Sequence, residues 1–236
     1  MHSILAQIRE DLKSSTDVQT QKSFQRFFKE QVKYYGVKTE TVGKIAKKYW
    51  TQVQNLDKKT IFALCEELYG SDYTEEAFVV SFWLPNYIEH LEQSDLATFK
   101  GWIERYINNW AKCDGFCNHT VGDLIQKYPE AVNELKRWAK SDNRWLRRAS
   151  AVSLIVPAKK GCFLKDALEI SDLLLTDVDD MVQKGYGWLL KEESRKHQKE
   201  VYEYIDKNKM IMPRTALRYA IELMPKELKS EAMKRD

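Results

Sequence analysis

Three tracts concentrate side chains able to do chemistry: WAKCDGFCNHTVGD at residues 110–123, WAKSDNRWLRRAS at 138–150 and QKGYGWLL at 183–190. Trp110 and Asp114 form a W-x-x-x-D pair in the first, and Trp188 supplies another indole in the third. A carboxylate and indole faces both suit a positive charge, the indole through its negative quadrupole at roughly 0.5–2 kcal/mol per contact. Arg148 in the second tract is a planar fork matched to bidentate phosphate contact. Each residue also has an ordinary reading. Tryptophan is commonly core, and this chain has seven. Asp114 precedes Gly115 and Phe116 as a helix N-cap would. Arg148 could pair with a carboxylate on a solvated face.

Other chemistries lack their residues. Cys113, Cys117 and His119 are the nearest approach to a metal cluster, but no second C-x-x-C or H-x-x-x-H accompanies them, so no metal is expected. No Ser/His/Asp arrangement or glycine-rich phosphate loop is present, and no cofactor is expected. The net charge is only +3, so the distribution of cations matters more than their sum. Arg144, Arg147, Arg148, Lys159, Lys160 and Lys165 cluster along the chain, followed by Lys184, Lys191, Arg195, Lys196, Arg214 and Arg218. Stacked in register, one cation per repeat would track a phosphate backbone and read shape rather than base sequence.

The elements that must position these groups are helical. Apolar types make up 43% and charged types 31% of 236 residues, with 9 Gly and 5 Pro, a composition suited to a soluble helical protein. Nothing approaches the roughly 18 consecutive apolar residues of a membrane span. Residues 1–11 lack the apolar region of a secretion signal, and the four cysteines read as free thiols, so a cytoplasmic protein is expected. Phe24, Phe27, Phe28, Val32 and Tyr35 predict one face of an amphipathic helix closed by Gly36, and Gly70 is expected to close a helix over 61–69. Thr39, Asp57, Ser94 and Asp142 are expected helix starts, and Pro129 with Glu130 fits a first turn. The joints INNWAKCD, KRWAKSDN and LLLTDVDD resemble one another at roughly 30–40-residue spacing. The expectation is an all-α, HEAT-like helical-repeat solenoid, a curved stack of antiparallel helix pairs, forming one domain over 1–236. Residues 154–164, LIVPAKKGCFL, break the pattern and predict a small β-hairpin with Lys159 and Lys160 at its tip; a loop covering the stack is the alternative.

The W-x-x-x-D of Trp110 and Asp114, the SDN-x-W-L-x-R of Ser141 to Arg148 and the QK-x-x-GW of Gln183 to Trp188 together resemble the AlkD-type HEAT-like-repeat DNA alkylation repair family of alkylpurine DNA glycosylases. The resemblance implies that Asp114 is the catalytic carboxylate, that Trp110 and Trp188 flank the deoxyribose of the damaged nucleotide, and that Arg148 holds backbone phosphate. Arg144, Arg147, Lys159, Lys160, Lys184 and Arg214 are the further DNA-binding candidates. A cationic N3- or N7-alkylpurine leaves without a general acid, so the site need only stabilise the sugar cation and orient water. A hairpin resembles instead the AlkF/AlkG-like branch, which implies a non-catalytic binder of branched or distorted DNA, and Phe27 stands where active members are expected to offer a tyrosine. The expected partner is duplex or branched DNA, bound by a monomer with no membrane association; a helical-repeat protein-interaction scaffold is the remaining alternative.

Overall fold

A computed structural model describes residues 2–234. The chain forms two compact units, Met1–Phe116 and Cys117–Asp236. In the first, α1 (His2–Ser14), α2 (Val18–Phe24), α3 (Thr39–Val53), α4 (Lys58–Gly70), α5 (Thr74–Trp83), α6 (Leu96–Tyr106) and α7 (Trp110–Phe116) follow in order. Helix α1 packs on α3, α3 on α5 and α5 on α7, while α4 packs on α6, so alternate helices form two layers. Helix α5 is enclosed by α3, α4 and α7. It is correspondingly buried around its circumference, from Thr74 through Ala77, Val79 and Val80 to Trp83. The Trp83 indole Nε1 donates to the Ala46 carbonyl at 2.8 Å, tying α5 to α3.

The expected helix through Tyr35 stops early. After α2 comes a single 3-10 turn, Gln25–Phe27, and residues 29–38 contain no helix. The cause is a competing use of the backbone. Buried Glu75 accepts from the backbone N–H groups of Tyr35, Gly36 and Val37 at 3.0, 2.8 and 3.1 Å. Its neighbour Glu76 accepts from the Tyr35 hydroxyl at 2.7 Å and from Arg9 Nε at 3.1 Å. Three charge-assisted bonds replace the helical ladder that periodicity alone would favour. Gly36 is consequently no helix stop. It has φ +86°, and a Cβ there would lie 2.6 Å from Cβ of Gln21. Gly70 is the last residue of α4 without a left-handed conformation, which Asp72 adopts instead at φ 66°. Asp57 caps α4 as expected, accepting from Thr60 N at 3.0 Å, whereas Thr39 is the first residue of α3 and Lys38 its cap.

In the second unit a π-helical turn, Cys117–Val121, precedes α8 (Gly122–Lys127). A 3-10 turn, Pro129–Ala131, leads into α9 (Val132–Trp138), followed by α10 (Arg144–Val152) and α11 (Ile155–Lys159). Then come α12 (Leu164–Leu173), α13 (Asp180–Glu193), α14 (Gln198–Asn208), α15 (Arg214–Ala220) and α16 (Lys226–Met233). Helix α13 is the core of this unit, packed by α10, α11, α12 and α15. Helices α9 with α12 and α14 with α16 complete the packing of a layered stack.

The hairpin expected at 154–164 is absent: those residues form α11, a tight turn and the start of α12, and no strand occurs among the described residues. Leu154, Ile155 and Ala158 are fully buried, on an element packed against α8 and α13. Pro157 sits in the first turn of α11, where its missing N–H costs no helical bond. Gly161, at φ +81°, ends the helix in a Schellman motif: its N–H donates to Ala158 O at 2.8 Å and Cys162 N–H to Pro157 O at 3.2 Å. A five-residue helix with a proline in its first turn and a glycine just past its C-cap uses the same residues as a hairpin would, and burial selected the helix.

Candidate functional site

Asn109, not Asp114, caps α7: its side-chain oxygen accepts from Lys112 N at 3.0 Å. Asp114 therefore stands one turn along the helix from Trp110, and both project from the same side of α7. Asp114 is 9% exposed. Trp110 is half-buried. Its Nε1 donates to the Phe27 carbonyl at 3.0 Å, and its ring stacks on Phe28 with centroids 5.5 Å apart. Lys112 points elsewhere: its amine is buried and donates to Asp72 Oδ1 at 2.7 Å and Asp72 O at 3.0 Å. Burial lowers the pKa of that amine, with Asp72 opposing the shift. This pair anchors the start of α7 to the turn that carries left-handed Asp72, which fixes the helix bearing Trp110 and Asp114.

Beside Trp110 lies an open apolar groove of about 320 Å³, walled by Phe24, Phe27, Phe28, Phe78 and Trp110. Phe27 is 68% exposed. Phe24 stacks on Phe28 at 5.2 Å and on Tyr34 at 4.6 Å, so the rings form a connected set.

In the second unit the predicted cations are largely engaged within the protein. Arg144 Nε lies 2.9 Å from Asp179, and its guanidinium sits 4.7 Å over the Trp145 ring. Arg147 binds Asp177 at 2.6 Å and donates to the carbonyls of Ser141 and Asp142, both at 2.9 Å. Asp179 meanwhile caps α13. The polar joint before α10, whose N-cap is Asn143 rather than Asp142, is thus laced to the polar joint before α13. Arg148 is buried, donates to the Met181 carbonyl and lies against Gly185, where a Cβ would stand 3.3 Å from its Cγ. Lys184 pairs with Asp180 at 3.2 Å, and Arg214 donates to the Met233 carbonyl at 2.9 Å. Lys159 and Lys160 are exposed, the latter 2.9 Å from Gln126.

Trp188, half-buried on α13, donates through Nε1 to Glu192 at 3.1 Å. Burial raises the Glu192 pKa, but hydrogen bonds from Arg195 and Trp188, helped by the charge of Lys159, outweigh it and hold the carboxyl below its usual range. One residue on, Glu193 is fully buried with no hydrogen-bond partner on either oxygen among the described residues, and burial pushes its pKa up to about 8.

The structure thus joins Trp110 with Asp114 on α7, and Arg144, Arg147 and Arg148 on α10. The sequence reading placed its cations only beyond residue 143 and missed the basic stretch around α2, although KSFQRFFK at 22–29 interleaves aromatic and cationic residues in plain view. Glu75, Glu76 and Glu193 left no such signal, because a buried glutamate is spelled like an exposed one.

No helix among the described residues is long and apolar enough to cross a membrane. No curated protein matches this sequence at a significant level. A solved structure described as a predicted DNA alkylation repair enzyme from Enterococcus faecalis is 15% identical and superimposes with a TM-score of 0.80, covering 90% of this chain and 98% of that one. At that identity the likeness establishes the fold, an all-α helical-repeat architecture. The family model for DNA alkylation repair enzymes matches residues 8–224, and the chain belongs to that family.

Proposed function

We propose that this protein is a monofunctional glycosylase that releases cationic N3- or N7-alkylpurines from duplex DNA. The observation that carries the reading is Asp114: a carboxylate held in mid-helix, relieved of capping by Asn109, one turn from a half-buried indole. In such a substrate the base already carries positive charge. Cleavage of the C1′–N bond sends the bonding pair to the purine, which departs neutral, and leaves an oxocarbenium-like sugar. The Asp114 carboxylate stabilises that cation and orients water, which adds at C1′ and gives up a proton to leave an abasic sugar. Trp110 lends its ring face to the same charge. Lys159 and Lys160 are the exposed cations of the second unit, with Lys184 and Arg214 as further contributors, whereas Arg148 is buried and would have to give up the Met181 carbonyl to reach phosphate. Arg144 and Arg147 would have to exchange Asp179 and Asp177 for phosphate, so their part in holding DNA is indirect, through the joints they lace.

The branched-DNA reading loses the basic hairpin that motivated it, because Lys159 ends a helix and Lys160 caps it. Duplex containing N7-methylguanine is the deciding substrate. The wild-type chain releases free base, and Asp114→Asn lowers the single-turnover rate by about 10²–10³ while circular dichroism stays unchanged. Absence of released base, or equal release by the variant, removes the proposal.

A further inference from the structure

We propose that the aromatic groove beside α7 receives an unstacked nucleobase of bound DNA. A carboxylate that stabilises the sugar of a cationic purine needs no base pocket, yet this chain builds one next to Trp110. The groove, about 320 Å³, falls within the roughly 300–1,000 Å³ of small-ligand pockets and is open to solvent on one side. Its walls are ring faces: Phe24, Phe28 and Trp110 are half-buried and linked by stacking, and Phe27 is largely exposed. Exposed aromatic rings gathered on one surface are unfavourable in water unless something covers them, and every nucleobase has a π-face suited to that task.

Charge selects the occupant. Residues 18–38 carry Lys22, Arg26, Lys29, Lys33 and Lys38 against Glu30 alone, in a chain whose two signs are otherwise nearly balanced. All five cations are exposed. Lys38 borders the groove itself, 3.4 Å from Asp17 with 66% of its side chain in solvent, and the Thr20 and Thr39 positions supply polar edges to the lining. Stacking faces bounded by cations fit a base whose flanking phosphates reach the rim, and they fit a greasy peptide poorly. The plain phenyl ring of Phe27, 68% exposed at the groove, stacks without desolvating a polar atom.

The inference rests on the DNA-binding part of the reading above and not on base release. The full chain is titrated into two labelled duplexes that share a one-nucleotide bulge, one bearing thymine and the other an abasic tetrahydrofuran residue, so that backbone interactions are common to both. Wild type is expected to favour the thymine bulge about tenfold. Phe27→Ala erases that preference and Phe27→Trp, which keeps a stacking face, retains it. Equal affinity of wild type for the two bulges, preference surviving in Phe27→Ala, or loss in Phe27→Trp as complete as in Phe27→Ala would each overturn the proposal. Release of methylated base is measured separately. A protein that discriminates the bulges without releasing base keeps the groove and loses the glycosylase; one that releases base without discriminating does the reverse.

Discussion

The two units treat their charges in opposite ways. In the first, the buried Glu75 and Glu76 are fully employed: Glu75 takes three backbone N–H groups and Glu76 takes Arg9 and Tyr35, while the cations of residues 22–38 face solvent. In the second, the arginines of α10 are turned inward onto Asp177, Asp179 and the Met181 carbonyl, and the buried Glu193 carboxyl has no hydrogen-bond partner among the described residues. Density of positive charge along a sequence is therefore a poor guide to where a polyanion binds. RWLRR looks more basic than the stretch around α2, yet it is committed to holding two joints together. The acids that decide this, Asp177 and Asp179, lie just before α13 and far along the chain from the arginines they hold.

The contrast can be broken most sharply at Glu193. Its folded pKa of about 8 lies above the ordinary value of 4.5, so the unfolded chain loses its proton first as pH rises. Between those values the unfolded state binds fewer protons than the native one, and stability falls with rising pH until the folded group also ionises near 8. Chemical denaturation should show stability declining from pH 5 to pH 8, by at most about 4 kcal/mol from this group. Glu193→Gln should flatten that decline; an unaltered pH profile in the variant would mean that Glu193 is solvated after all.

Arg147→Ala comes next. With the arginine 19% and Asp177 8% exposed, removing the guanidinium strands a largely buried carboxylate and leaves the Ser141 and Asp142 carbonyls without their donor. A loss of about 3 kcal/mol is expected in urea titrations. A loss below about 0.5 kcal/mol, the usual size of a surface effect, would return Arg147 to the pool of cations available to phosphate.

The smallest effect on folding, and the most informative for binding, is expected from Lys22→Gln with Arg26→Gln. Both side chains are exposed, so stability should move by less than about 0.5 kcal/mol. Affinity for duplex DNA should fall, and the slope of log K against log salt should shrink by about one for each phosphate that is no longer neutralised. The same slope in the double variant as in wild type would place DNA elsewhere on the protein.

Much of this was legible in the residues. Asp57 is followed by an apolar period of three and four, and it caps α4 by accepting from Thr60, because short-range capping depends only on neighbours in sequence. The motifs holding Trp110, Asp114, Arg148 and Trp188 sufficed to reach the family. What stayed hidden were choices settled by partners far along the chain. Residues 24–35 have a helical period, but the distant Glu75 takes the backbone donors of Tyr35, Gly36 and Val37. Residues 154–164 suit a hairpin as well as they suit α11, until burial of Leu154, Ile155 and Ala158 favours the helix.

By itself, the sequence determined the helical class, the repeat-like joints and the residues with the right chemistry, since periodicity, capping and side-chain type are local properties. Only the tertiary structure decided which charges are spent inside and which remain for a ligand. Whether a carboxylate or a guanidinium faces water, a backbone donor or an opposite charge depends on what packing brings within about 3 Å, and that distance is not written along the chain.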